Sequence, residues 1–91
     1  MLTLVLTKKF KQDFKRLKKN GKNIKLLTEV VNILLAEKAL PEKYKDHALT
    51  GDYKGFRECH IQPDWLLIYY IENKTLCLTL ARTGTHSLLF K

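Results

Sequence analysis

The hydrophobic residues of this chain change period near its middle, and that change limits the fold more than any other feature. Phe10, Phe14 and Leu17 follow one another at helical spacing. Ile24, Leu27, Val31, Leu34 and Leu35 keep the same period until Pro41. Beyond a stretch with no period come three runs rich in aromatic and branched residues, Phe56–Ile61, Trp65–Glu72 and Thr75–Ala81, which read as strands. Turns fall at Gln62-Pro63-Asp64 and Asn73-Lys74. Ahead of the helices, Leu2, Leu4 and Leu6 alternate as an opening strand would.

The boundaries carry their own chemistry. The Thr7 hydroxyl can accept a free N–H of the first helical turn, and Asn23 can do the same for the second helix. Asn20-Gly21 ends the first helix, because glycine accepts the left-handed conformation common just past a helix end. Pro41, Asp46, Gly51, Asp52 and Gly55 mark a surface loop, and long loops are often functional. The predicted fold is α+β: an N-terminal strand, an antiparallel two-helix hairpin, then a three-stranded antiparallel sheet, as one domain over 1–91.

Composition narrows the class. At 91 residues and 45% hydrophobic, the chain suits one folded domain and excludes enzymes with separate cofactor domains. The longest apolar run, Trp65–Ile71, is far short of the ~20 residues of a membrane span. The apolar stretch Leu2–Leu6 precedes the lysines, the reverse of an export signal. Cys59 and Cys77 form no zinc or CxxC pattern and read as reduced thiols of a cytoplasmic protein. Gly51, Gly55 and Gly84 make no phosphate-cradling motif, and no cofactor is expected. The net charge is +8, and it is unevenly placed. Residues 1–25 carry nine basic side chains against Asp13 alone, whereas the remainder balances eight against eight. Such a surplus points to a polyanion or an acidic protein as partner.

Register arithmetic gathers the candidate chemistry. A two-residue turn at Asn73-Lys74 would set Trp65 opposite Arg82, and a 62–64 loop would pair Ile61 with Trp65 and put His60 beside Leu66. His60, Asp64, Trp65 and Arg82 then share one end of the sheet, within reach of His86. The residues alone do not place His47 there. Imidazoles with an arginine suit RNA cleavage by the 2′-OH: a base takes its proton, an acid protonates the leaving 5′ oxygen, and the guanidinium stabilises phosphate charge. No metal is required. Other readings stay open: solvated loop residues, a His-Asp-His metal site, and core packing for Trp65 and Phe90.

The segments Tyr44-Lys-Asp-His-Ala-Leu-Thr-Gly51, Gly55-Phe-Arg-Glu-Cys-His-Ile-Gln-Pro-Asp-Trp-Leu-Leu-Ile-Tyr69 and Arg82-Thr-Gly-Thr-His-Ser-Leu-Leu-Phe90 resemble the YafQ-type toxins of the RelE superfamily. The resemblance implies a toxin of a bacterial toxin–antitoxin system: a ribosome-dependent endoribonuclease that cuts mRNA on the 70S ribosome without a metal and is silenced by a cognate antitoxin. It places the active site on His47, His60, Asp64, Arg82 and His86, with Trp65 and Phe90 as substrate-side aromatics. His86 would stand closest to the scissile phosphate and Arg82 would stabilise its charge. Where many relatives carry an acid two residues after the final histidine, this chain has Leu88. The alternatives are a non-catalytic toxin of the same superfamily, whose members generally lack this His/Asp/Arg set, and a plain RNA-binding module.

The basic helix would then grip ribosomal RNA through Lys15, Lys18 and Lys19. Neutralising these three lysines is expected to weaken ribosome binding while circular dichroism stays unchanged. The log–log salt slope should fall by about 0.7–0.9 for each phosphate no longer neutralised. Unaltered ribosome affinity would assign the surplus charge another purpose.

Overall fold

The computed structural model describes residues 1–90, so the last residue of the expected 1–91 domain, Lys91, lies outside them. Strand β1 (Thr3–Leu6) leads into helices α1 (Lys8–Lys19) and α2 (Ile24–Leu35). Strands β2 (His47–Ala48), β3 (Arg57–Gln62), β4 (Trp65–Glu72) and β5 (Cys77–Gly84) follow, and a short helix α3 (His86–Leu89) closes the chain. Both predicted caps form. The Thr7 hydroxyl accepts from the Phe10 amide at 3.0 Å, and Asn23 Oδ1 accepts from the Lys25 amide at 3.1 Å.

The sheet has five strands rather than the expected three, in the order β1-β5-β4-β3-β2. β1 runs parallel to β5, the last strand in sequence. The helical hairpin carries the chain from β1 to the far edge of the sheet, and β2 to β5 then return strand by strand. β2 is only two residues long and adds the far edge by pairing with β3. An element that short leaves no periodic signal, which is why the 39–55 stretch reads as pure loop. All of β1 is exposed at its edge, although Leu2 just before it is buried.

The sheet separates two cores. On one face, Cys59, Trp65, Leu67, Tyr69, Leu78 and Leu80 pack against Phe10, Leu17, Leu27, Val30 and Leu34 of the two helices. On the other, Leu66, Ile68 and Ala81 are covered by Leu49, Tyr53 and Phe56 of the long loop and by Leu89 and Phe90 of the C-terminal segment. The loop is therefore a lid on the second face. Among the described residues, no helix is long and apolar enough to cross a membrane.

Three departures from the expected pairing shift the register. Between β3 and β4, a bulge between His60 and Gln62 sets Gln62, not Ile61, opposite Trp65 and keeps His60 beside Leu66. Four residues, Asn73–Leu76, form the turn between β4 and β5, so Glu72 faces Cys77 and not Thr75. A bulge between Ile68 and Tyr69 then brings Arg82 opposite Ile68, which corrects the expected Trp65–Arg82 pair.

Cys59 is fully buried, and burial pushes its thiol up to about 12, with the Asp46 and Glu58 charges adding to the effect. The unfolded chain ionises this thiol near the ordinary value while the folded chain keeps its proton. The resulting stability is intact below about pH 8.5 and is lost as pH rises towards the folded value. Urea unfolding should lose roughly 1–2 kcal/mol from this group by about pH 10. Cys59→Ala should flatten that alkaline slope.

Candidate active site

Pairing across the sheet places one row of residues on the face away from the helices. His47 pairs with Glu58, Glu58 with Ile68, and Ile68 with Arg82. The next row on the same face runs from His60 through Leu66 to Gly84. Adjacent strands lie about 4.8 Å apart, so Arg82 stands about 10 Å across the sheet from Glu58.

Glu58 joins the two histidines of this face. Its carboxylate is buried, and Oε1 lies 3.4 Å from His47 Nε2 and 3.6 Å from His60 Nε2. The other ring nitrogens face carbonyl oxygens: His47 Nδ1 lies 2.7 Å from the Lys45 oxygen, and His60 Nδ1 lies 3.4 Å from that of Pro63. Carbonyl and carboxylate oxygens only accept, so a proton on either Nδ1 points at a carbonyl and a proton on either Nε2 points at the one shared carboxylate. Glu58 is the residue that sequence reasoning missed. Its signal is its place two positions before His60 on a strand, which puts both on one face.

A second cluster holds His47 in place from the opposite face. Arg57 donates to Asp46 from Nε at 3.3 Å and from Nη2 at 3.0 Å, and the Tyr69 hydroxyl donates to the same carboxylate. The Asp46 hydrogen bond raises the Arg57 pKa, whereas the Tyr69 phenol is raised first by burial and then by Asp46. Asp46 thereby pins the loop to the sheet one residue before the histidine.

Arg82 is held by the lone acid of α1. Asp13 Oδ2 accepts from Arg82 Nε at 2.7 Å and from the Thr83 amide at 3.2 Å, and Oδ1 accepts from Nη2 at 3.2 Å. Asp13 is buried, and its hydrogen bond raises the Arg82 pKa against the opposing effect of burial. The fork uses one edge of the guanidinium and leaves Nη1 for another partner.

Past Gly84 the chain folds back onto the sheet. Gly84 has φ +153°, and a Cβ there would come within 3.0 Å of Leu88 Cδ2. Thr85 caps α3 by accepting from the Leu88 amide at 3.3 Å, so exposed His86 opens that helix with its ring 4.8 Å from the half-buried Phe90 ring. Asp64 lies exposed in the Pro63-Asp64 turn and makes no ion pair among the described residues.

Trp65 requires a correction. It faces the helices, is 1% exposed, and donates through Nε1 to Thr83 Oγ1 at 2.9 Å. Its ring has no face open to a nucleobase, so it packs the core and does not stand on the substrate side. Thus the structure brings His47 and His60 together around Glu58, aligns Arg82 in one row with His47 and Glu58, and sets His86 and Phe90 beyond the same sheet face. Lys15, Lys18 and Lys19 lie exposed on α1.

This architecture is that of a known class of small toxins. A metal-bound toxin from Helicobacter pylori is 52% identical and superposes with a TM-score of 0.94, covering 99% of this chain and 100% of that one. A chain of the Escherichia coli DinJ–YafQ complex is 35% identical, with a TM-score of 0.91 and 100% of both chains covered. In sequence, the mRNA interferase toxin YafQ of Escherichia coli K12 is 40% identical over 82 residues, 89% of this chain and 87% of that protein. The family model for YafQ, a bacterial toxin of type II toxin–antitoxin systems, matches residues 2–91. The chain belongs to the YafQ toxin family.

Removing the Asp13 carboxylate would leave Arg82 unpaired and the buried Thr83 amide without its acceptor. Asp13→Ala is therefore expected to lower unfolding free energy by about 2–4 kcal/mol in urea titrations.

Proposed function

We propose that this chain is a ribosome-dependent endoribonuclease that cuts mRNA through the RNA 2′-OH without a metal, as one domain over residues 1–91. The relatives named as mRNA interferase toxins support the activity, and the DinJ–YafQ complex supports a cognate antitoxin as the partner that silences it. In this reading the protein works in the cytoplasm, on mRNA held by the 70S ribosome.

The row of His47, Glu58 and Arg82, with His60 and His86 on the same side of the sheet, carries the proposal. Cleavage moves the 2′-OH proton to a base, forms a bond from the 2′ oxygen to phosphorus, and breaks the bond to the 5′ oxygen, which an acid protonates. His86, exposed at the start of α3, meets the scissile phosphate as acid or base. Arg82, aimed by Asp13, holds phosphate oxygens with its free N–H groups. His60 and His47 handle the remaining proton, oriented by Glu58, and Asp64 lines the approach from its turn. Phe90 offers its ring to a base.

Cleavage of mRNA on programmed ribosomes tests this directly. His86→Ala and Arg82→Ala should each lower the rate by roughly 10²–10⁴-fold, and Glu58→Gln should lower it less while keeping the fold. Phenanthroline, which takes transition metals and leaves the ribosome its magnesium, should change nothing. Undiminished cutting by both alanine variants would remove the assigned site. Growth arrest with intact mRNA would favour a toxin that acts by binding alone.

A further inference from the structure

On the sheet face away from the helices, aromatic rings form a continuous ridge. Phe90 meets Tyr53 with ring centroids 5.5 Å apart, Tyr53 meets Phe56 at 5.8 Å, and Phe56 meets Tyr70 at 5.0 Å, each pair edge to face. The ridge starts beside His86 and ends at Tyr70, near the middle of β4. Between it and the start of α1 runs a groove of about 440 Å³, lined by Lys8, Lys9, Tyr53, Phe56, Tyr70 and Arg82 among others. That volume lies within the roughly 300–1,000 Å³ of small-ligand sites.

The charge of this groove is one-sided. No residue lining it is acidic, and both carboxylate oxygens of nearby Asp13 are already taken by Arg82 and Thr83. Lys8 and Lys9 stand in the first turn of α1, which contains no acid, the reverse of the usual charge preference at that end. Three cations facing three partly exposed rings match the chemistry of one nucleotide: a flat base for the rings and a phosphate for the cations. An acidic peptide would use the cations and have no need of the rings.

We propose that this groove is a subsite for single-stranded RNA, holding a nucleotide next to the scissile one, with its base against Tyr70 and Tyr53 and its phosphate between Lys8 and Lys9. The proposal rests on the ribonuclease reading above and extends it to a substrate contact outside the acid–base residues. Arg82 is shared, since it lines the groove and belongs to the catalytic row. The groove thus continues the path of the strand past the cleavage point.

The test uses the whole chain and a short single-stranded RNA blocked by 2′-O-methylation, with affinity read by fluorescence anisotropy at several salt concentrations. Tyr70→Ala should weaken binding about tenfold with an unchanged salt slope, and Tyr70→Phe should retain affinity. The double substitution Lys8→Gln, Lys9→Gln should lower the salt slope by about 0.7 for each phosphate no longer neutralised. Circular dichroism of each variant should match the parent. Absence of wild-type RNA binding, or equal affinity in all variants, overturns the subsite. So does a loss confined to binding of an acidic antitoxin peptide. Cleavage on programmed ribosomes separates the two readings. A wild type that cuts mRNA while groove variants bind and cut as well as it does removes the subsite alone. A wild type that does not cut removes the ribonuclease reading, and the RNA affinities still decide the subsite.

Discussion

The contact between Asp13 and the end of β5 ties this structure together. β1 stops pairing at Leu6 opposite Leu80, so the outer edge of β5 beyond that point has no neighbouring strand. Helix α1 takes over there, and one carboxylate meets both the Thr83 amide and the Arg82 guanidinium. A buried acid on a helix so rich in lysine is costly unless it is paired and fully hydrogen-bonded, and here it is. One side chain thereby docks the helix, satisfies the strand just past its bulge, and fixes the direction of the cation aligned with the histidines.

The second organising fact is the alternation of consecutive residues across the sheet. Asp46 and His47 are neighbours in sequence but serve opposite faces. Asp46 is clamped by Arg57 and Tyr69 on the helix side, and His47 turns its ring to Glu58 on the open side. The same division holds on β4, where Trp65, Leu67 and Tyr69 fill the dry core while Leu66, Ile68 and Tyr70 support the open face. Rigidity is supplied from one side, and the histidines are presented on the other. A loop that reads as featureless becomes ordered because it is held at both its Asp46 clamp and its aromatic lid.

Local signals are legible in the sequence and tertiary ones are not, for physical reasons. Helix limits are set by side chains within one turn, so Thr7, Asn23 and Gly21 mark them in the sequence itself. Strand register depends on turn length and bulges. Leu76 at φ +53° lengthens the β4–β5 turn, and nothing in Asn73-Lys74 announces it. That shift displaces Arg82 from Trp65. Trp65 itself reads as a substrate-side aromatic because its neighbours match a family motif, but alternation along β4 turns it inward. Glu58 and Asp13 escape notice because a lone acid in a strand or a lysine-rich helix reads as surface. Their importance lies in partners 11 and 69 residues away, at His47 and Arg82.

The excess charge of the N-terminal segment divides along the length of α1. At about 1.5 Å of rise per residue, Lys18 lies about 15 Å beyond Lys8 along the helix axis, longer than the Debye length of about 8 Å at physiological salt. The two ends therefore present separate patches of positive charge. Lys8 and Lys9 face the groove that reaches Arg82, and their field adds to that of its guanidinium. Lys15, Lys18 and Lys19 lie well beyond it and are free to meet a separate stretch of backbone. Asp13 sits between them, with its charge already committed inward to Arg82. A single amphipathic helix can in this way carry two separate basic patches and still hold the strand of Arg82, because its charged face and its buried Asp13 are different parts of the same rigid rod.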